Sequence, residues 1–305
     1  MRGYPRPRCL QSVPGLDVEN SMPTTDLPVL LPASQRPLES SWPPPRLDLK
    51  WWHGAILVAL MITALGIGEA HSAASNSRPS AIATFVSWVP FILTGFVMNL
   101  VISFIAMAIG TVAGAALGLM QVSLLAPVRS GSWIVTQFFR NSPWLVLLFC
   151  ILLLMPFQIE IGDVVIPIPD WFKATIGFSL PVMANISEIV RGAVRSIPTG
   201  QWESAESLAF TRRQTMWMII LPQCVKRMIP PWMNWYAILA LATPICSIMG
   251  VEEAVRYTQD AMEAEGGRPE LLMPFYSFLL VIFFVYIYPI ARMTIRLERR
   301  FAVKT

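Results

Sequence analysis

The sequence predicts an all-α integral membrane protein with six transmembrane helices and with its N- and C-termini in the cytoplasm. Hydrophobic residues make up 54% of the 305 residues and charged residues only 14%, against about 25% charged residues in a typical soluble domain. The apolar residues form runs that are long enough to cross a bilayer. The basic residues are concentrated in the segments on one side of these runs.

The first 50 residues differ in composition from the rest of the chain. They are rich in Pro, Ser and Arg, include the run Pro43–Pro45 and show no sustained periodicity. This composition predicts a disordered cytoplasmic tail over 1–50. No apolar core follows the first arginines, so we do not expect a signal peptide. An additional N-terminal transmembrane helix is predicted at 51–70, where the apolar run begins.

The apolar stretch 84–122 is too long for a single crossing of the bilayer at ~1.5 Å per residue. Pro90 and Gly95 divide it, which predicts an interfacial helix over roughly 84–95 and a transmembrane helix over 97–121. The four remaining transmembrane helices are predicted at 143–160, 172–191, 231–250 and 272–292.

The basic residues test the orientation of these helices. With a cytoplasmic N-terminus, 19 of the 23 Lys and Arg residues lie on the cytoplasmic side, as the positive-inside rule predicts. The four on the other side are Arg78, Lys173, Arg256 and Arg268. The net charge of +4 therefore indicates membrane orientation, and we expect contact with membrane lipid and no binding of nucleic acid.

The composition of the predicted spans excludes several functions. Their interiors contain no Lys, Arg, Asp or Glu, which argues against an ion-coupled transporter, although sodium sites can be built from backbone carbonyls. No Gly-Lys dipeptide occurs in the chain, so the phosphate-binding loop of ATPases is absent. The cysteines and histidines show neither metal-ligand spacing nor a catalytic arrangement. We therefore expect no enzyme activity, no metal and no cofactor in this chain.

Three glycines at four-residue intervals, Gly110, Gly114 and Gly118, lie within the predicted helix 97–121. Small residues at this spacing allow a second helix to approach closely. The sequence does not distinguish between packing inside the subunit and an interface between subunits. In either case we expect a helix-packing face without chemical function.

The cytoplasmic segment that follows the fourth predicted span carries strong local signals. Thr199 is a candidate N-cap of a short helix, with Glu203 in its first turn, where a carboxylate is favourable to the helix dipole. Thr211 and Gln214 have the spacing of a capping box for a second helix. Pro222 is expected to limit how far this second helix runs.

The first of these two helices has a small apolar face formed by Ala205, Leu208 and Ala209, with Glu203 and Glu206 beside it. A helix of this kind can dock into a groove of another protein. It can equally lie on the lipid surface as an amphipathic helix. The residues alone favour neither interpretation.

The same segment resembles the EAA loop of the permease subunits of bacterial ABC importers, in particular those of the polar amino-acid uptake family. An earlier motif, Arg140-Asn-Ser-Pro143, resembles the family signature that leads into a core helix. The resemblance covers about 84–300. The residues that match the pattern of the loop and of the following helix are Arg191, Gly192, Ile197, Gly200, Gln201, Glu203, Ala205, Leu208, Gln214, Ile219, Leu221, Pro222, Gln223, Pro230, Pro231 and Asn234.

The resemblance implies the type I ABC importer permease fold, with a core at 84–300 and a cytoplasmic coupling loop at 198–231. It implies a non-catalytic subunit of the bacterial inner (cytoplasmic) membrane that transports amino acids. The implied partners are two ABC ATPase subunits, a second permease subunit (the same or homologous) and an extracytoplasmic substrate-binding protein. ATP and Mg²⁺ would be bound by the ATPase, and this chain would hold no cofactor. Which amino acid or derivative is carried does not follow from the sequence.

The family also implies how the loop works. Its helix, here at about 203–210, docks into a cleft of the ATPase, and closure of the ATPase dimer moves the membrane-spanning helices. We therefore expect a polar contact from Glu203 and packing contacts from Ala205 and Leu208.

Three positions depart from the family pattern. Ser204 replaces an alanine, Ala209 replaces a glycine, and Leu241–Pro244 replaces a K-[DN]-T-S motif. If residue 209 has a left-handed backbone, alanine costs on the order of 1 kcal/mol there. The third departure lies at membrane depth, so the family's substrate contacts in that region are not carried over to this chain.

Two other functions stay open from the sequence. One is an ion-coupled secondary transporter or channel that acts without an ATPase. The other is a membrane scaffold or receptor without transport activity. An ATPase that co-purifies with the chain would distinguish an importer from both.

Overall fold

The predicted tail (1–50) and all but four residues of the predicted N-terminal helix (51–70) lie outside the residues that the structure describes. Those four residues are helical. The described residues of the computed structural model are 80–161, 164–301, Gly54, Ile56, Ala59 and Thr63.

The described chain is helical except for one short β-hairpin. In chain order its elements are α1 (Ala81–Gln121), α2 (Ala126–Asn141), α3 (Trp144–Leu154), β1 (Gln158–Ile161), β2 (Val164–Pro167), α4 (Asp170–Arg195), α5 (Thr199–Ser207), α6 (Arg212–Gln214), a π turn (Thr215–Ile220), α7 (Leu221–Ala242), a 3₁₀ helix (Thr243–Met249), α8 (Ala254–Ala264), a 3₁₀ turn (Pro269–Leu271) and α9 (Leu272–Phe301). The all-α prediction therefore holds apart from the hairpin.

Helix α1 is one continuous helix of 41 residues that begins after the N-cap Ser80. The predicted division into an interfacial helix and a separate transmembrane helix is wrong, because the helix passes through Pro90 and Gly95 without a break. At ~1.5 Å per residue, α1 is about 60 Å long, or about twice the hydrocarbon thickness of a bilayer. One side of its first half packs on α8 and α9, where Phe85 and Phe275 share one buried cluster, whereas Val86 and Val97 are more than half exposed.

The glycine stripe of α1 lies against α4 of the same subunit. An added Cβ would lie 2.6 Å from the carbonyl oxygen of Met183 at Gly114, and 2.7 Å from that of Ser187 at Gly118. At Gly110 it would lie 2.5 Å from a methyl group of Val182. The absence of side chains at these positions therefore lets the backbones of α1 and α4 approach each other closely.

Helices α2 and α3 form a bent pair, with an angle of 105° between them. The bend lies at Pro143, which is the N-cap of α3. The predicted span at 143–160 is correct only in its first part, because α3 ends at Leu154 and strand β1 pairs with β2 in an antiparallel hairpin. The alternating polar and apolar residues of β1 have the period of a strand.

The helix that contains Pro222 is much longer than the sequence predicts. Helix α6, the π turn, α7 and the 3₁₀ helix form a helical segment of 38 residues from Arg212 to Met249. Pro222 does not limit it, because the π turn immediately precedes α7 and the Leu221 N–H donates to the Met216 carbonyl. A π turn is wider than an α-helical turn, which gives the proline ring room where an α-helix would clash.

Three helical segments of the described residues are long and apolar enough to cross a membrane, namely Ala81–Gln121, Arg212–Met249 and Pro269–Phe301. The bent pair of α2 and α3 could form a fourth crossing. Helix α4 has 26 residues but is not among these segments. Several helical membrane segments are therefore present in the described part of the chain, and the number six stays a prediction.

We predict that Gly114→Ala lowers the thermal stability of the chain, because the added Cβ meets the backbone of α4 and forces the two helices apart. Overpacking of this kind costs about 1–3 kcal/mol. Gly131→Ala in α2 is the matched control, since an added Cβ meets nothing within 4 Å there and alanine favours a helix by about 1 kcal/mol. The measurement is the midpoint of thermal unfolding in detergent. An unchanged midpoint for Gly114→Ala would contradict the packing of α1 on α4.

Candidate functional site

Helix α5 is attached to the ends of α4 and α7. Ala205 is only 2% exposed, because it faces the chain itself. Beside it, Trp202 packs against a buried cluster that includes Ile197 after α4 and Ile220 before α7. One face of α5 is therefore fixed to the rest of the protein by apolar contacts.

Polar contacts reinforce this attachment. Arg227 of α7 donates through Nη1 to the carbonyl and the hydroxyl oxygens of Ser196, at 2.7 and 2.8 Å. Gln223 of α7 donates to the side-chain oxygen of Gln201 at 3.3 Å. The guanidinium of Arg212 lies 5.5 Å from the ring centroid of Trp202. These contacts join the end of α4, α5 and the start of α7 into one structural unit.

The rest of the surface of α5 is free in this chain. Glu203, Ser204 and Ser207 are exposed, and Leu208 at the C-terminal end of the helix is 72% exposed. Glu203 and Leu208 are thus available to a partner. Ala205 is not, so the prediction that it packs on the ATPase is wrong, because its methyl group is buried within its own chain.

Of the two helix caps predicted in the loop, one is correct and one is wrong. Pro198, and not Thr199, is the N-cap of α5, and it makes no side-chain capping bond. Glu203 consequently lies beyond the first turn, where its interaction with the helix dipole is weaker. The capping box is confirmed, since Thr211 Oγ1 accepts from the Gln214 N–H and Gln214 Oε1 accepts from the Thr211 N–H.

Helix α5 ends in a left-handed residue, Ala209, with φ of 57°. The Phe210 N–H donates to the Ala205 carbonyl and the Ala209 N–H donates to the Glu206 carbonyl. These two bonds form a Schellman motif, in which glycine usually occupies the left-handed position. Alanine therefore sits in a conformation that is strained by on the order of 1 kcal/mol.

Arg140 and Arg191, two residues of the family signature, both lie beside the carboxylate of Glu188, near the ends of α2 and α4. Glu188 accepts from Arg191 through Oε2, and the same oxygen lies 3.8 Å from Nη1 of Arg140. Gly192, the next signature residue, is exposed and has open space around it. The sequence indicates only that Glu188 and Arg191 lie at a helix end, since no local spacing relates either of them to Arg140.

A buried polar cluster joins α1, α2 and α4 close to this carboxylate. Gln121 Nε2 donates to Thr136 Oγ1 at 2.8 Å and to Ser187 Oγ at 3.0 Å, and the two hydroxyls are 3.0 Å apart. All three residues are almost fully buried. Hydrogen bonds between helices satisfy polar groups that a bilayer would leave without partners. This cluster was not predicted, because its only signal in the sequence is the polar character of three residues in apolar surroundings.

A second buried polar cluster connects α1 to the far end of the bundle. Asn99 of α1 donates to Thr243 Oγ1 at 3.0 Å and to Glu253 Oε2 at 2.9 Å, and it accepts from the Ala254 N–H at 3.0 Å. Glu253 is fully buried and also caps α8 by accepting from the Arg256 N–H. Burial raises the pKa of the Glu253 carboxyl, and its hydrogen bonds oppose that shift.

Thr243 lies in the segment Leu241–Pro244 and occupies the threonine position of the family motif, where its hydroxyl accepts from Asn99. Glu253 lies between the 3₁₀ helix and α8, in an acidic stretch of the sequence. The structure buries it, because Gly95 lets the backbone at Glu253 and Ala254 approach α1, where an added Cβ would lie 2.8 Å away.

The remaining loop and signature residues differ in their exposure. Gly200, Gln201, Gln214 and Pro222 are exposed, and Leu221 is half-buried. Asn234 is exposed on α7. Among the described residues, no cluster of His, Cys, Asp and Glu has the arrangement of a metal site.

Comparison of the sequence with known proteins identifies a family. A model described as "binding-protein-dependent transport system inner membrane component" matches residues 110–302. The chain is 35% identical over 195 residues to the probable amino-acid ABC transporter permease YckA of Bacillus subtilis, covering 64% of this chain and 81% of that protein. It is 31% identical to the L-cystine permease TcyB of the same organism, covering 57% and 72%. It is 28% identical to the glutamate/aspartate permease GltK of Escherichia coli, covering 63% and 86%.

Two solved structures share the fold. An amino acid ABC transporter, crystallised with histidines, superposes with a TM-score of 0.62 at 24% identity, covering 73% of this chain and 99% of the other. The methionine ABC transporter MetNI in an inward-facing conformation gives a TM-score of 0.54 at 17% identity, covering 69% and 96%. At these identities the likeness concerns the arrangement of helices.

We predict that Ala209→Gly stabilises the chain by about 1 kcal/mol, since glycine adopts a left-handed backbone without strain. Ala205→Gly in the same helix is the control, and it is expected to lower the stability because it removes a buried methyl group from a helix interior. Thermal unfolding midpoints of the two purified variants provide the measurement. Shifts in the same direction for both variants would be incompatible with the strain assigned to Ala209.

Proposed function

Because the chain belongs to the family of binding-protein-dependent transport system inner membrane components, we propose that it forms the translocation path of an ATP-driven amino-acid importer. The names of the permeases that it resembles support amino acids as the substrate class. The chain has no phosphate-binding loop, so the energy must come from a separate ATPase. The permease itself is then a non-catalytic subunit.

The proposed assembly contains two ATPase subunits, which bind ATP and Mg²⁺, and a second permease subunit that is identical or homologous to this chain. An extracytoplasmic binding protein delivers the substrate. The description of the family as a binding-protein-dependent system supports this last partner. The family and the resemblance of the coupling loop support the ATPase partner.

The observation that carries the proposal is the division of α5 into a fixed face and a free face. Ala205 and Trp202 hold the helix to its own chain, whereas Glu203 and Leu208 are exposed. An exposed leucine and an exposed carboxylate on a rigidly held helix are suited to a groove with an apolar floor and a polar rim. We propose that this free face docks into the ATPase and that 198–231 is the coupling loop.

The attachment of α5 determines how a movement of the ATPase reaches the membrane. Because Arg227 and Gln223 tie α7 to Ser196 and Gln201, a displacement of α5 moves the ends of α4 and α7 together. Helix α4 in turn packs closely on the glycine stripe of α1. The proposed cycle therefore moves a connected set of helices and does not bend a flexible loop.

We propose the following membrane topology. Six crossings are formed by 51–70, α1, α2 with α3, α4, the segment from α6 to the 3₁₀ helix, and α9. Both termini and α5 are cytoplasmic, and 1–50 is a cytoplasmic tail that precedes the permease core at 84–300. The asymmetric distribution of Lys and Arg supports this orientation.

An ion-coupled carrier is the second candidate, and the buried Glu253 is the observation that favours it. A fully buried carboxylate that is bonded to Asn99 is the type of group that carries a proton or a cation in such proteins. Both of its oxygens, however, accept structural hydrogen bonds. Oε1 accepts from the Arg256 N–H and caps α8, and Oε2 accepts from Asn99 of α1. The importer is therefore the better-supported function.

We predict that Glu203→Arg abolishes the stimulation of the partner ATPase and the ATP-dependent uptake of labelled amino acids in proteoliposomes. Reversal of this charge disrupts docking without entering the core of the chain, since Glu203 is exposed. A reduction of roughly tenfold or more is expected, because the reversed charge would face the groups of the partner that Glu203 contacts. Thermal stability of the chain should be unchanged.

Glu298→Arg is the matched control, because Glu298 is also exposed and lies on the same proposed side of the membrane, on α9. It should preserve ATPase stimulation and uptake. Normal stimulation in the Glu203→Arg variant would contradict the docking of α5. Uptake that persists without the ATPase would instead support the ion-coupled carrier.

We predict that Glu160→Cys reacts with a membrane-impermeant maleimide in intact spheroplasts, whereas Glu203→Cys and Glu298→Cys react only after the membrane is opened. All three positions are exposed in the structure, so a difference in labelling reports the side of the membrane. The native cysteines are replaced beforehand. Labelling of Glu298→Cys in intact spheroplasts would overturn the proposed orientation of the C-terminus.

A further inference from the structure

A basic cavity of about 410 Å³ lies where α1, α2 and α4 meet at the end of the bundle that carries α5. Three arginines line it, Arg129 from α2 and Arg191 and Arg195 from α4, together with Gln121 from α1. No acidic residue lines it. None of the residues that line this cavity takes part in the coupling contact proposed for α5. The positive charge of the cavity therefore requires a separate explanation.

Two buried polar atoms at this cavity are unsatisfied. Among the described residues, three buried side-chain atoms have no hydrogen-bond partner, namely Gln121 Oε1, Arg191 Nε and Glu188 Oε1. Gln121, which is 1% exposed, and Arg191 line the cavity, whereas Glu188 is the ion-pair partner of Arg191 and does not line it. Buried polar groups in folded proteins are almost always hydrogen-bonded. The cavity therefore presents one acceptor and one donor that a ligand could satisfy, in addition to the exposed charges of Arg129 and Arg195.

The cavity also has an apolar wall. Trp133 and Ile134 of α2 line it and are 50% and 61% exposed. A tryptophan that is half exposed beside arginines is typical of the boundary between headgroups and acyl chains. A ligand that matches the whole cavity combines a negative charge and a hydroxyl group with an apolar part.

We propose that this cavity binds the headgroup of an anionic phospholipid of the cytoplasmic leaflet. The phosphate lies against Arg129 and Arg195, whose charges are exposed, whereas Arg191 is paired with Glu188. A headgroup hydroxyl donates to Gln121 Oε1. Basic cavities between membrane helices on the cytoplasmic side are suited to such headgroups. The choice of leaflet rests on the orientation proposed above, whereas lipid binding can be measured independently of orientation and of transport.

A free phosphate ion does not fit the cavity equally well. It would satisfy the arginines, but it would leave Trp133 and Ile134 exposed. Its O–H groups could donate to Gln121, as the hydroxyls of the glycerol headgroup of phosphatidylglycerol can, so the apolar wall is what distinguishes the two ligands. The lipid therefore accounts for the charge, for the unsatisfied acceptor and for the apolar wall together.

The test is native mass spectrometry of the full chain, purified in detergent with the subunits that accompany it. Phosphatidylglycerol, phosphatidylethanolamine and phosphatidylmethanol are added in separate titrations. We expect preferential retention of phosphatidylglycerol. In the double variant Arg129→Gln/Arg195→Gln, retention should fall by about fivefold for each arginine removed. Phosphatidylmethanol, which is anionic but lacks a headgroup hydroxyl, should bind several-fold more weakly than phosphatidylglycerol.

The charge-matched control is Lys226→Gln/Arg296→Gln, since both of these basic residues are exposed and neither lines the cavity. It should retain phosphatidylglycerol as the unmodified chain does. Equal thermal midpoints of the two double variants in lipid-free detergent exclude a folding defect. Equal retention in both double variants would overturn the proposal. Displacement of phosphatidylglycerol by millimolar inorganic phosphate would overturn it in favour of a site for free anions.

Discussion

The close contact of α1 with α4 is the packing on which the other features of the bundle depend. Lipid chains are as apolar as the helices, so association within a membrane relies on close packing and on hydrogen bonds between helices. Gly114 and Gly118 provide the close packing, because they let the α1 backbone contact carbonyl groups of α4. The same approach brings Gln121 within hydrogen-bonding distance of Ser187, and through it of Thr136 on α2. The position of α2, and with it that of Arg140 beside Glu188, follows from this contact.

The two buried polar clusters on α1 are separated by about the thickness of a bilayer. Asn99 and Gln121 are 22 residues apart in one continuous helix, which corresponds to about 33 Å and thus to the hydrocarbon thickness of a bilayer. The glycine stripe lies between them, and that stretch of α1 contains no charged residue. The residues of α1 before Asn99 pack instead on α8 and α9. One helix therefore contributes both to the membrane-spanning bundle and to the cap formed by α8.

The sequence predicts features that depend on neighbouring residues better than features that depend on distant ones. The capping box of Thr211 and Gln214 is correct because its two bonds join residues three positions apart. The break at Pro90 is wrong because hydropathy and a proline do not reveal that α8 and α9 pack on this part of α1. Ala205 is likewise assigned to the wrong partner, since its burial depends on the ends of α4 and α7. The meeting of Arg140 with Glu188 could not be predicted, because 48 residues separate them and no periodicity relates them.

The departures from the family pattern in the loop can be understood in the same terms. Ser204 lies on the free face of α5, where a hydroxyl group in place of a methyl group leaves the attachment of the helix unchanged. Ala209 keeps both hydrogen bonds of the Schellman motif despite its left-handed backbone. Burial of Ala205 on one side and the capping box of Thr211 on the other fix the chain at both ends of this turn, and together they outweigh a local strain of about 1 kcal/mol. The turn ends α5 at Leu208, so the exposed end of the helix is held in place by tertiary contacts and does not depend on a glycine.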